Sequence, residues 1–106
     1  MIESRTRKAA FLREAARAAG LNDASVDESR IEDLASRYRT GAADLITIRG
    51  VRMDAMVFSL SAHLLRAAGK LLLFGAESGD IPTAMFRLAD QEQLPGGSRL
   101  TVLERV

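Results

Sequence analysis

Apolar and polar residues in the N-terminal part of the chain alternate at the spacing of an amphipathic helix. Between about residues 6 and 19, one predicted face carries Phe11, Leu12, Ala15, Ala16 and Ala19. Gly20 can take the left-handed conformation that ends a helix, and Leu21 can fold back onto the last turn. The pattern therefore predicts a helix over residues 6–19.

Two further helices are predicted downstream. Residues 31–38 form a short one, with Ser29 as N-cap and Glu32 at the spacing of a capping box. A stronger helix runs from about residue 53 or 54 to Ala67 and is closed by Gly69. Its predicted apolar stripe consists of Met56, Val57, Leu60, Leu64 and Leu65. Residues 81–86 add one or two helical turns with Asp80 as N-cap.

Short β-rich segments lie between these helices. They are predicted at residues 1–2, 24–27, 45–48 and 70–74, and the last of them is a continuous apolar run typical of a covered parallel sheet. Residues 75–80 are predicted to form a loop. The end of the chain predicts a hairpin with arms 87–94 and 99–105 around Pro95-Gly96-Gly97. Strands that alternate with helices predict an α/β fold with a mostly parallel sheet and a C-terminal antiparallel hairpin.

Composition narrows the classes of protein and of site. The 106 residues, of which 47% are hydrophobic, suit a single domain spanning residues 1–106. The absence of cysteine excludes disulfides and a thiolate nucleophile, and the scattered acids show no metal-ligand spacing. No signal peptide and no apolar run long enough for a bilayer are found, so we expect no membrane association and a cytoplasmic location.

Five segments, in order, resemble one bacterial family. They are residues 2–13 (IESRTRKAAFLR), 20–22 with 29–34 (GLN and SRIEDL), 44–50 (DLITIRG), 64–73 (LLRAAGKLLL) and 94–103 (LPGGSRLTVL). Each segment alone is weak evidence for a family. Together, their order and spacing are similar to those of the small-subunit rRNA guanine methyltransferases called glucose-inhibited division protein B, or RsmG.

The resemblance implies a partial Rossmann-like methyltransferase fold that uses S-adenosylmethionine (SAM) to methylate a guanine ring nitrogen of small-subunit rRNA. Such transfer needs positioning rather than a covalent intermediate, so no catalytic residue is expected. The family's first strand and glycine-rich loop would precede Met1, and the segment between Phe74 and Arg87 is short for the family. We therefore expect the chain to be inactive alone.

The resemblance places five residues near the cofactor. Glu3 follows a strand and could accept hydrogen bonds from the ribose hydroxyls, or it is a solvated acid near a helix N-terminus. Arg30, Ile31 and Glu32 would flank the adenine, or they form a helix start with a core isoleucine. Arg49 ends the central strand and could contact the cofactor's carboxylate or the target base, or it pairs with a nearby acid such as Asp44 or Asp54. We expect Glu3 and Arg49 to line one nucleoside cleft.

Basic residues cluster near the N-terminus. Arg5, Arg7 and Lys8, with Arg13 and Arg17 behind them, could meet rRNA phosphates, although such a cluster is often only a solvated helix face. The single histidine, at position 63, is expected to be a packing residue.

Two alternatives to an enzyme remain open at this point. The chain could be a non-catalytic Rossmann-like remnant that serves as an interaction or dimerisation module, or an unrelated small nucleic-acid-binding α/β protein. In a methyltransferase sheet the first strand lies beside the strand at residues 45–48. Without it that strand has an open edge, so we expect a homodimer or a rearranged sheet if the chain folds alone.

Overall fold

The computed structural model describes residues 1–75 and 80–106. Its contacts divide the chain into two compact units, an N-terminal unit at Met1–Arg37 and a C-terminal unit at Tyr38–Val106. The single domain therefore stays a prediction. Most of the predicted loop at 75–80 lies outside the described residues. In the part of the chain that is described, no helix has the length and apolar character needed to cross a bilayer.

The N-terminal unit is built on one long helix and a pair of short parallel strands. Its elements are β1 (Ile2–Glu3), α1 (Thr6–Ala18), β2 (Asp27–Glu28), a 3₁₀ turn (Ile31–Asp33) and α2 (Leu34–Arg37). Strands β1 and β2 pair in parallel. The predicted helix 6–19 is confirmed with its end at Ala18, whereas the strand expected at 24–27 lies at 27–28.

The end of α1 is the glycine-dependent motif that the sequence predicts. Gly20 has a φ of 72°. Its N–H donates to the carbonyl of Arg17 at 3.1 Å, and the N–H of Leu21 reaches back to the carbonyl of Ala16 at 3.0 Å. These bonds satisfy the last carbonyls of the helix, as a Schellman motif does.

Two expectations for this unit are wrong. The buried residues of α1 are Ala9 and Ala16, two turns apart, while Phe11 is 71% exposed. The helix therefore packs through its small side chains rather than its largest apolar one. The capping box is also absent, because the 3₁₀ turn makes Arg30 the N-cap and leaves the buried Oγ of Ser29 without a partner among the described residues.

The C-terminal unit is a four-stranded sheet with one helix. Its elements are β3 (Ala43–Arg49), α3 (Ala55–Leu64), β4 (Leu65–Phe74), β5 (Phe86–Gln93) and β6 (Arg99–Arg105). The strand order is β3-β4-β6-β5, with β3 and β4 parallel and the other two pairs antiparallel. The predicted closing hairpin is confirmed. The core of this sheet is deepest at Leu71, Leu73, Phe86 and Leu103.

The junction between α3 and β4 differs most from the prediction. The helix ends at Leu64 rather than at 67, and β4 begins at once because Leu65 pairs with Ala43 of β3. The next β3–β4 pair joins Leu45 to Lys70, so the intervening residues of β4 bulge out of register. Gly69 is therefore not a helix terminator but lies inside a bulged strand.

The buried face of α3 is also rotated from the predicted stripe. It is formed by Val57, Phe58, Ser61 and Ala62, while Met56 is 41% exposed. Residues 81–86 hold a single turn, in which the N–H groups of Met85 and Phe86 both donate to the carbonyl of Pro82 at 3.0 Å. No α-helix forms there because Phe86 is already the first residue of β5.

Candidate functional site

The carboxyl ends of β1 and β2 lie at the same edge of the small sheet because the two strands are parallel. Glu3 ends β1 and is half-buried. Its Oε1 accepts a hydrogen bond from the backbone N–H of Arg5 at 3.1 Å, just before α1 begins. No described group bonds to its Oε2. The hydrogen bond to Oε1 thus orients the carboxylate, and Oε2 can accept hydrogen bonds from a ligand.

The segment after β2 places the other predicted cofactor residues of this unit. Arg30 and Glu32 are exposed, and Ile31 is half-buried at the start of the 3₁₀ turn. The backbone N–H of Asp33 donates to the carbonyl of Arg30 at 3.1 Å, which fixes the turn. Ile31 is therefore not a fully buried core residue. Part of its apolar side chain is exposed beside the polar groups of Arg30 and Glu32.

The basic residues on and before α1 fall into two groups. Arg17 donates through Nε to Glu14 at 3.0 Å, and Arg13 lies 4.0 Å from a carboxylate oxygen of Glu28. The Glu14–Arg17 pair lowers the pKa of Glu14 through the arginine's hydrogen bond. By contrast, no ion pair is found within 1–75 and 80–106 for Arg5, Arg7 and Lys8, all of them exposed. The second group keeps its charge available to a partner.

Arg49 ends β3 at the carboxyl side of the parallel pair and is exposed. Neither acid proposed as its structural partner is paired with it. Asp44 instead binds Nε of Arg66 at 2.9 Å, and Asp54 accepts the N–H of Val57 at 3.0 Å as the N-cap of α3. The Arg49 guanidinium is thus free of ion pairs with the described residues.

A cleft of about 290 Å³ opens after the carboxyl ends of β3 and β4. Its lining comes from the start of α3 and from residues 80–85, and consists of Met53, Asp54, Ala55, Phe58, Ser59, Asp80, Pro82 and Met85. Sequence reasoning treated Asp54 only as a helix start or a possible partner of Arg49, treated Asp80 only as an N-cap, and missed this cleft. Their positions in the segments that follow β3 and β4 were the available signal, since ligands of open α/β sheets bind beyond the carboxyl ends of the strands.

The other polar residues were considered as possible metal ligands or bases. Over residues 1–75 and 80–106, no group of three or more His, Asp or Glu residues could hold a metal ion. The Nδ1 of His63 lies 3.4 Å from the hydroxyl of Thr40, and its buried Nε2 has no partner in the described part. The half-buried ring thus belongs to the packing around α3.

Known proteins match the chain along most of its length. The model of the family described as rRNA small subunit methyltransferase G matches residues 1–87. A ribosomal RNA small subunit methyltransferase G from Stenotrophomonas maltophilia (strain K279a) is 43% identical over 74 residues, which are 68% of this chain and 32% of that protein. The chain thus spans about a third of the length of this relative.

A second relative aligns over nearly the whole chain. The ribosomal RNA small subunit methyltransferase G of Acidothermus cellulolyticus is 36% identical over 104 residues, covering 96% of this chain and 45% of that protein. The match therefore includes the hairpin that lies mostly beyond residue 87.

A solved structure confirms the fold class. A SAM-dependent methyltransferase from Methanosarcina mazei superposes with a TM-score of 0.73 at 8% identity, covering 99% of this chain and 80% of that chain. The α/β, partial Rossmann-like methyltransferase fold expected from the sequence is thereby confirmed. With the family match over residues 1–87, the chain belongs to the rRNA small subunit methyltransferase G family.

Proposed function

We propose that this chain is part of a SAM-dependent methyltransferase that acts in the cytoplasm on a guanine ring nitrogen of small-subunit rRNA. One observation carries most of the proposal beyond family membership. In each unit the carboxyl end of a parallel strand bears a polar group suited to a ligand: Glu3 ends β1 and has one oxygen without a described hydrogen bond, and Arg49 ends β3 and has no ion pair among the described residues. Open α/β sheets bind their ligands at such strand ends.

The residues present fit the polar and apolar parts of SAM. The free oxygen of Glu3 is suited to accept from the ribose hydroxyls, and the half-buried Ile31 offers an apolar surface to the adenine. Arg30 and Glu32 flank it and supply backbone and side-chain polar groups. Arg49 can bind the carboxylate of the cofactor or orient the target base. SAM brings an activated methyl group, so the protein's work is to hold the two reactants in line and keep water away.

Removing the charge of Glu3 tests the proposed ribose contact. In isothermal titration with SAM, Glu3→Gln should bind about tenfold more weakly than the unmodified chain, because a charge-assisted hydrogen bond becomes a neutral one. Glu92→Gln, which changes an exposed acid of β5, is the matched control and should leave binding unchanged. Equal affinity in Glu3→Gln would contradict the assignment, and absence of saturable heat would favour a non-catalytic remnant.

Arg5, Arg7 and Lys8 are the residues we propose for contact with rRNA phosphates. Their charges are exposed and unpaired within the described residues, whereas Arg13 and Arg17 are engaged with acids. A polyanion is bound most strongly by cations that give up no other partner. This difference in pairing supports Arg5, Arg7 and Lys8, rather than all five basic residues, as the contacts for rRNA phosphates.

Neutralising this set is expected to change the salt dependence of RNA binding. For Arg5→Gln/Arg7→Gln/Lys8→Gln, the slope of log K against log salt for a single-stranded rRNA fragment should fall by about 2, because three phosphate contacts are lost. Fluorescence anisotropy at several salt concentrations measures it. Arg13→Gln/Arg17→Gln, at positions already paired, should change the slope much less. Equal slopes for both variants would argue against the selected set.

We further propose that the isolated chain forms a homodimer through β3. This strand and β5 are the two edges of the sheet. The β5 edge carries charges at Arg87, Asp90 and Glu92, which discourage strand addition, whereas the middle of β3 is apolar and its Leu45 is 54% exposed. We therefore expect β3, the edge strand with the apolar middle, to pair with the β3 strand of a second copy of the chain.

A charge on the apolar edge should therefore give a monomer. Sedimentation velocity is expected to show a dimer for the unmodified chain and a monomer for Leu45→Lys. Leu88→Lys on β5 is a close control, since Leu88 is 49% exposed, and it should leave the dimer intact. A well-folded monomer without any substitution would rule out this mode of association.

A further inference from the structure

We propose that the cleft after β3 and β4 binds the guanine that receives the methyl group and recognises its Watson–Crick edge through Asp54 and Asp80. This inference rests on the proposed function and deepens it, because it assigns the substrate base to residues that the cofactor assignments leave unused. Both acids line the cleft.

The cleft is suited to a single planar base. Its volume of about 290 Å³ lies at the lower end of ligand sites, where one nucleobase rather than an extended ligand fits. Met53 and Phe58 form a buried floor, at 6% and 2% exposure, and Pro82 and Met85 add half-buried apolar surface. Such walls can cover the faces of a base that has left its stack, while polar groups at the rim bind its edge.

The negative charge of the cleft indicates which part of a nucleic acid, the phosphate or the base, it is suited to bind. Among the described lining residues the two carboxylates alone are charged, and neither forms an ion pair with a described residue. Two negative charges repel a phosphate and also the carboxylate of an amino-acid-like cofactor. They favour a neutral group with N–H donors, so the cleft suits a base rather than the backbone or the cofactor tail.

Among the bases, guanine presents two neighbouring donors, N1–H and the N2 amino group. A carboxylate has two oxygens and can accept both, whereas adenine offers only its N6 amino group. One oxygen of Asp54 is already used, because Oδ1 accepts the N–H of Val57. Asp80 has no described hydrogen bond, so we assign the two-donor contact to Asp80 and a single supporting contact to Asp54.

The test titrates the full ¹⁵N-labelled chain with guanosine, inosine and adenosine 5′-monophosphates, which carry equal charge and differ in the donors of the base. Amide shifts are expected at residues 53–59 and 80–86. The guanine nucleotide should bind about tenfold more tightly than the adenine nucleotide, with inosine, which lacks the amino group, in between.

Asp80→Asn should reduce guanosine monophosphate affinity about tenfold and leave the adenine nucleotide unaffected, because the amide replaces one of the two acceptor oxygens with an NH₂ donor that faces the donors of guanine. Asp54→Asn preserves the N-cap, since asparagine caps as well as aspartate, and should lower the guanine affinity less. Asp23→Asn, an exposed acid of the other unit, is the matched control and should change nothing.

The outcomes separate this inference from the proposed function. Guanine selectivity that depends on Asp80 supports the cleft assignment whether or not SAM binds. Equal affinity for the three nucleotides, shifts away from the cleft, or no binding would overturn the assignment. SAM binding in the same sample then shows independently whether the cofactor assignment holds.

Discussion

Replacing Phe86 by alanine is expected to lower the free energy of unfolding by about 3–5 kcal/mol. Phe86 is 1% exposed at the start of β5, and its ring centre lies 5.9 Å from that of Phe58 in a tilted arrangement. The ring thus joins the hairpin to α3. Alanine would remove this contact and leave a cavity that a small core cannot refill.

Urea unfolding followed by circular dichroism measures the loss. Because a chain of this size has limited stability, Phe86→Leu should be made as well. It keeps much of the volume and is expected to cost about 1.5 kcal/mol. Leu88→Ala, two residues along the same strand and half exposed, should change stability by only about 0.5 kcal/mol. Similar losses at positions 86 and 88 would contradict the packing described.

Gly69→Val is expected to cost about 3 kcal/mol, at the upper end of what overpacking does. A Cβ at this position would lie 2.9 Å from the carbonyl oxygen of Arg66 and 3.1 Å from that of Asp44. Both atoms are backbone and cannot turn away as a flexible side chain could. The substitution would therefore push β3 and the bulged part of β4 apart.

The matched control for Gly69→Val is Ala67→Val, at an exposed position of the same strand. It adds bulk without a backbone clash and should change stability by about 0.5 kcal/mol or less. Gly69→Ala should fall between the two. If valine were tolerated equally at 67 and 69, the close approach of β3 and β4 at Gly69 would be wrong.

Elements whose structure depends on local chemistry were predictable from the sequence. The end of α1 follows from Gly20, which alone tolerates the left-handed conformation without cost. The closing hairpin follows from Pro95-Gly96-Gly97 between two β-rich runs, and Gly96 and Gly97 both have positive φ. In each case the deciding residues are neighbours along the chain.

Elements that depend on distant residues were not predictable. The sequence of residues 64–68 favours a helix, but pairing of Leu65 with Ala43 makes it a strand, so tertiary contact overrides local preference. Likewise, Phe11 was expected inside because it is large and apolar, whereas α1 packs closely through Ala9 and Ala16. Periodicity alone does not show which of two helix faces another element will cover.

The candidate functional residues also differ in how far the sequence alone pointed to them. Glu3 and Arg49 were proposed because each follows a predicted strand, and each lies at the end of a strand that pairs in parallel within its own unit. The cleft was missed because Asp54 and Asp80 are far apart in sequence and are brought together only by the β3–β4 pairing and the turn before β5. Pairings of that kind leave no periodic pattern.

The central proposal is that Glu3 and residues 30–32, at the carboxyl ends of β1 and β2, bind the nucleoside part of one cofactor. The most direct test is a titration of the ¹⁵N-labelled chain with S-adenosylhomocysteine, monitored at the amides of residues 3–5 and 30–32. Saturable shifts in both segments with one common affinity are predicted. Shifts in only one segment, different affinities between the two segments, or none at millimolar ligand would contradict the account.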